Sequence, residues 1–335
     1  MRRWACGWAL AALSVVLVLA GGCAQGAPRL ASSWPKASAE ATIAAPPETM
    51  KWPLTGEPLP AAPSAVRTPL AALLPLRPVS RAPAGVSAAD VVYEWGSGGT
   101  DAQLLALLQS ALPRAIGPLG SASRIARTVA GQYAAVTCSL AATDPTSPDV
   151  PGAVTPLRAP ALFGTGPAGT PPGIYLLARK AGAAVSAASP SAQRPARLFF
   201  RASVDATEPI HSVTVPIASA SVRWSYSPVA RSYERFVGAS RQRDSATGAP
   251  ITAENVVVVW ARPVGDGSSG GAGELSLVGQ GQASVFRNGV REDGHWRAVA
   301  DGPPRFTADD GRPILLAPGT TWFEVVPLTA NITLD

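Results

Sequence analysis

The side chains in this sequence that could do chemistry are few, and their spacing narrows the options. There are two histidines in 335 residues, His211 and His295, so a Ser-His-Asp triad has only two candidate bases. Neither lies near a Gly-x-Ser-x-Gly elbow, and with Cys138 they show no zinc-ligand spacing. No calcium loop of alternating acids is present either, so no metal and no cofactor are expected. Carboxylates remain. Glu94 closes a strand-like run that opens onto Gly96-Ser97-Gly98-Gly99, where a cleft could form, and Glu234 alternates between Tyr233 and Arg235. A glycoside-cleaving pair would need two such acids facing each other. The densest aromatic-basic cluster is Tyr226, Tyr233, Arg235, Arg241 and Arg243, in which arginines could fork onto a carboxylate or phosphate. Asp244 to Gly248 has the composition of a turn held by side-chain-to-backbone bonds.

The third kind of chemistry is covalent attachment. From Trp4 to Pro28 no residue is charged, Arg2 and Arg3 precede that stretch, and Leu19-Ala20-Gly21-Gly22 leads into Cys23. This is the pattern of a signal peptide over residues 1–22, and it resembles a bacterial lipobox with Cys23 as the lipidated mature N-terminus. An uncleaved span is the competing reading, but Gly21 and Gly22 are poor helix-interior residues. Either way the arginines stay inside and the rest lies outside. The expectation is a cell-membrane protein held by diacylglycerol and palmitate on the extracytoplasmic face.

Composition limits what such a protein could contact. The formal charge is +6, with 15% charged residues, too small and scattered for nucleic acid. Thirty-four prolines and 32 glycines against 47% hydrophobic residues indicate short strands and turns around a real core. Cys138 would be the one thiol left after acylation, in an apolar strand where a buried, inert role is expected.

These elements must position the candidate groups. Residues 23–50 read as a flexible tether rich in Ala, Ser and Pro. A body region over 51–180 follows, with a strand at Asp90–Trp95. Thr100 could cap a helix bearing Leu104, Leu105, Leu108 and Leu112, and a second helix is expected over about Ser123 to Gln132. Strands are expected at Ile174–Arg179 and Arg197–Arg201, and the low-complexity stretch 181–196 reads as the linker between them. Residues 197–329 look almost wholly β. Val256 to Val259 should be a central strand buried on both faces, and Asn288-Gly289 should turn a hairpin between Ala283–Arg287 and Val290–Trp296. A further strand is expected at Glu274–Val278, beside a Gly/Ser-rich loop.

Several segments taken together resemble the YerB-like lipoprotein family, a group without assigned function. They are Ala89-Asp90-Val91-Val92-Tyr93-Glu94, Ile116-Gly117-Pro118, Trp224-Ser225-Tyr226, Tyr233-Glu234-Arg235, Asp244 with Thr247-Gly248, Asn255 to Val258, and Pro318 to Trp322. The resemblance covers about Trp52 to Pro327. It implies an α+β body: a mixed layered sandwich with an α/β N-terminal region and a β-rich C-terminal region. The chain departs from the family pattern at Leu73-Leu74-Pro75 and Asp101. It also departs at Gly117 to Ser123, where two family arginines are missing and Arg124 stands one position later. The expected function is a membrane-anchored binding or interaction module of the cell envelope, with an envelope polymer or surface protein as partner. The candidate binding residues are Glu94, Arg124, Tyr226, Tyr233, Arg235 and Asp244, in a groove near Glu94. An envelope hydrolase using carboxylates is the alternative.

Overall fold

The computed structural model describes residues 50–60, 66–98, 101–140, 153–188, 196–203, 209–264 and 274–335. The signal segment, Cys23, the tether up to Thr49, Thr100 and the Gly/Ser-rich loop 265–273 lie outside these residues. The described residues belong to one compact unit.

Strands β1 (Leu70–Leu76), β2 (Val91–Gly98) and β3 (Asp101–Leu108) precede helix α1 (Arg124–Gln132) and β4 (Val136–Cys138). The short pair β5 (Phe163–Thr165) and β6 (Ile174–Leu176) leads into helix α2 (Ala178–Ala188). Then come β7 (Ser212–Ile217), β8 (Ala220–Ser227), β9 (Ser232–Val237), β10 (Ser240–Arg241), β11 (Thr252–Ala253) and β12 (Asn255–Ala261). The chain closes with β13 (Gly279–Arg287), β14 (Val290–Val299), β15 (Gly302–Thr307), β16 (Pro313–Ile314), β17 (Thr321–Pro327) and β18 (Thr333–Leu334).

Ten strands form one sheet in the order β16-β15-β14-β13-β12-β17-β2-β3-β1-β4, and a smaller sheet runs β10-β9-β8-β7-β18 with β11 beside β9. The large sheet has a core on each face. Val92, Leu104, Val258 and Trp322 meet Val213, Val215 and Trp224 of the smaller sheet. On the other face Tyr93, Leu105, Val257 and Phe323 pack with Ile125, Ala126 and Val129 of α1. Helix α1 forms where expected because Ser123 accepts a bond from the Ala126 amide and an apolar stripe follows. Val256 to Val259 lie between β13 and β17 with both faces covered, as expected of a continuous β-branched run. Each such side chain contributes roughly 1.5–3 kcal/mol through burial.

Three expectations are corrected. The leucine-rich segment after Thr100 is strand β3, not a helix. It sits between β2 and β1, so both its faces are buried, and alternate apolar residues on both sides resemble a helical stripe. The stretch 181–196 is not a plain linker, since α2 extends through Ala188 and its alanines favour helix. Arg197–Arg201 and Glu274–Val278 form no regular strands, and each makes one isolated bridge outside the sheet, Phe200 to Leu316 and Leu275 to Pro263. The chain is β-rich in both halves. They share one sheet, because β17 pairs in parallel with β12 on one side and β2 on the other. No described helix is long and apolar enough to cross a membrane.

Candidate functional site

Glu94 does not open onto a cleft. It stands on β2 directly beside Glu324 of β17, and both carboxylates point between the two sheets with Trp322. Arg235 reaches across from β9 of the smaller sheet: its Nε donates to Glu94 Oε2 at 3.2 Å and its Nη2 to Oε1 at 2.5 Å. Trp322 Nε1 donates to Glu94 Oε2 at 3.0 Å, and Trp224 Nε1 donates to Glu324 Oε1 at 2.7 Å. Glu94 and Glu324 are 0% exposed and Arg235 is 1% exposed. The expected opening is closed by the β7–β8 turn: a Cβ on Gly96 would meet the Ala218 nitrogen at 2.9 Å.

One guanidinium faces two buried carboxylates, so only one negative charge is compensated. Burial first, and the neighbouring Glu94 charge second, hold the Glu324 pKa well above the ordinary carboxylate range. Glu324 Oε2 is buried without a partner. Burial thus favours the neutral form of Glu324 beside the Glu94–Arg235 pair.

The other sequence-predicted residues are scattered. Tyr226 and Tyr233 are cross-strand partners with ring centroids 5.0 Å apart. Tyr233 is buried, its hydroxyl accepts from the Gly289 amide at 3.2 Å, and burial raises its pKa. Asp244 is buried too. It accepts from the Ser87 amide and hydroxyl at 3.0 and 2.9 Å and from the Ala246 amide at 2.9 Å, locking its turn onto a segment 157 residues away. Arg124 opens α1 against the opposite face of the large sheet and pairs with Glu274 at 3.7 Å. Thus Glu94, Tyr233, Arg235 and Asp244 are interior groups and Arg124 lies apart from them. Glu234, the other carboxylate weighed for hydrolysis, pairs with Arg241 at 2.5 Å.

The accessible polar surface lies elsewhere. On the β13–β14 hairpin, Gln282, Ser284, Arg291, Asp293 and His295 share one face. With Trp260, Asp309 and Asn331 they line a groove of about 440 Å³. Ser284 Oγ donates to Asp293 Oδ1 at 2.5 Å, and Arg291 grips the same carboxylate through Nε at 2.8 Å and Nη2 at 2.7 Å. His295 Nδ1 is 3.4 Å from Asp309 Oδ1. Ser284 is thus bonded to an acid and not to His295, so the arrangement does not form a nucleophile–base pair. Trp260 directs its Nε1 to the Ala330 carbonyl at 2.9 Å. Donors and acceptors beside an indole suit binding of a hydroxyl-bearing partner.

Sequence reasoning missed this groove, although a signal was present. The turn Asn288-Gly289 sets the hairpin, and polar residues recur at every second position over Gln280–Ser284 and over Arg291–Arg297, although Glu292 interrupts the apolar positions between them.

Two family models match the chain. The N-terminal domain of the protein of unknown function DUF3048 covers residues 54–158, and the C-terminal domain covers residues 213–323. Among solved structures, the chain is similar to the crystal structure of YerB protein from Bacillus subtilis. The identity is 24% and the TM-score 0.69, over 85% of this chain and 99% of the other. No curated protein matches. The likeness to YerB is one of fold.

Proposed function

Because the chain belongs to the DUF3048 family, whose YerB-like fold comes with no assigned activity, we propose that it is an extracytoplasmic lipoprotein. Tethered through Cys23, it binds an envelope component non-covalently on a rigid β scaffold. The observation that carries the binding reading is the 440 Å³ groove on the β13–β14 face, lined by Trp260, Asp293 and His295. It departs from the groove expected near Glu94, whose carboxylate is sealed between the sheets. Its polar lining and aromatic side wall favour a hydroxyl-rich polymer over an apolar ligand. The anchoring reading rests on the uncharged run that ends in Gly21-Gly22-Cys23 behind Arg2 and Arg3. Stable attachment takes more than one acyl chain, which a diacylated cysteine supplies.

Two measurements test this reading. Replacing Cys23 with Ser should abolish palmitate incorporation and release the chain from the detergent phase; unchanged labelling would remove the anchor from the proposal. Retention of the full-length chain on purified cell-wall polymer should drop at least about tenfold in a Trp260→Ala/Asp293→Ala variant. Equal retention of both proteins would remove the groove.

A further inference from the structure

A second pocket, of about 460 Å³, lies apart from the polar groove. It opens where β15 parts from its neighbour. β15 pairs with β16 only at Phe306–Ile314 and Thr307–Pro313. Beyond that point the chain turns to the segment around Phe199 instead: the Leu316 amide donates to the Phe199 carbonyl and the Arg201 amide to the Leu316 carbonyl. The gap is walled by Leu198, Pro304, Phe306, Ile314 and Leu316, and its volume is that of a small-molecule site.

Its rim is basic. The Arg305 guanidinium lies 3.7 Å from the Phe199 ring centroid, and that of Arg197 lies 5.4 Å from the same ring. Arg297 stands directly opposite Arg305 across the β14–β15 ladder, on the same face. Like charges at directly opposed positions oppose pairing. Among the described residues none of these three arginines has a carboxylate partner. The repulsion is also felt at Arg305, whose pKa is lowered by burial first and by Arg197 second. Arg305 thus lines the apolar pocket and Arg197 shares its Phe199 ring, and among the described residues no carboxylate neutralises either.

We propose that this pocket binds a single-chain amphipathic anion, with its apolar chain between Leu198, Phe306 and Leu316 and its anionic head on Arg197 and Arg305. Guanidinium forks match the oxygens of a phosphate or carboxylate, and stacking on Phe199 holds one of them in place. The site is separate from the polar groove, so it stands or falls independently of the proposed polymer binding.

The test is calorimetric titration of the full-length chain with dodecyl phosphate below its micelle concentration. Saturable one-to-one binding is expected. Arg197→Gln/Arg305→Gln should weaken it about tenfold or more, as loss of charge-assisted bonds implies. Inorganic phosphate should bind far more weakly than dodecyl phosphate. Absence of dodecyl phosphate binding, equal affinity in the double variant, or equal affinity for inorganic phosphate would each overturn the proposal. Arg197→Gln, a change outside the strand ladder, serves as the second variant if the double substitution unfolds, and should also weaken binding.

Discussion

Of the molecule's arginine–carboxylate pairs, Arg235 with Glu94 spans the two sheets and Arg291 with Asp293 lies along β14, and solvent makes these two different objects. Both arginines approach their partner through Nε and Nη2 at 2.5 to 3.2 Å. The first pair is sealed between two sheets with Trp322 and a second carboxylate. The second lines an open groove, with the Asp293 side chain 49% exposed. In the interior each charge must keep its partner, because desolvation penalises a lone ion by several kcal/mol. In the groove water can replace either partner, so the same groups are free to exchange bonds with a ligand. Residue type alone therefore does not distinguish a structural clamp from a binding surface.

Four measurements would break or sharpen this contrast. Arg235→Met leaves Glu94 buried without compensation and should cost about 3–5 kcal/mol, read as a fall in the urea midpoint. A loss below about 1 kcal/mol would mean that water reaches Glu94 and the interior reading fails.

Glu324 gives the pH signature. Its folded pKa lies above the unfolded value near 4.5. Its contribution to stability is thus complete below about pH 4.5 and is lost as pH rises towards the folded pKa. Glu324→Gln keeps the neutral shape and should flatten stability against pH above 4.5. An unchanged profile would mean that the carboxyl is not the protonated partner.

The groove should respond weakly. Asp293→Asn is expected to shift stability by no more than about 0.5 kcal/mol, because its ion pair is half-exposed. A thermal shift corresponding to several kcal/mol would make the groove a structural element like the core. The smallest effect is expected at Cys138, a core thiol whose pKa burial pushes up to about 12. Iodoacetamide at pH 8 should leave the peptide containing Cys138 unmodified until the protein is unfolded in urea.

Much of the fold was legible because it rests on local periodicity. Helix α1 has a capping serine and one apolar stripe, and the β13–β14 hairpin has Asn288-Gly289 between alternating arms. Strand β3 was not legible: a strand covered on both faces loses its two-residue period and Leu104, Leu105 and Leu108 then fit a helix equally well. The candidate site was less legible than the fold. Glu94 looked available because glycines follow it, yet the partner that decides its role is 141 residues away. Tyr233 and Arg235 alternate onto one face of β9, but that this face is sealed is decided by the other sheet.

From the sequence alone came the β-rich C-terminal region, the position of α1, the buried central strand at Val256–Val259 and the family resemblance. Each follows from side-chain pattern over a few residues or from motif order along the chain. Tertiary structure decided that the halves share a sheet, that Glu94 and Glu324 stand side by side, and that the β13–β14 groove and the pocket beside Arg305 are open to solvent. Those outcomes depend on strand order and on which face is covered, and they arise from contacts between residues far apart in sequence.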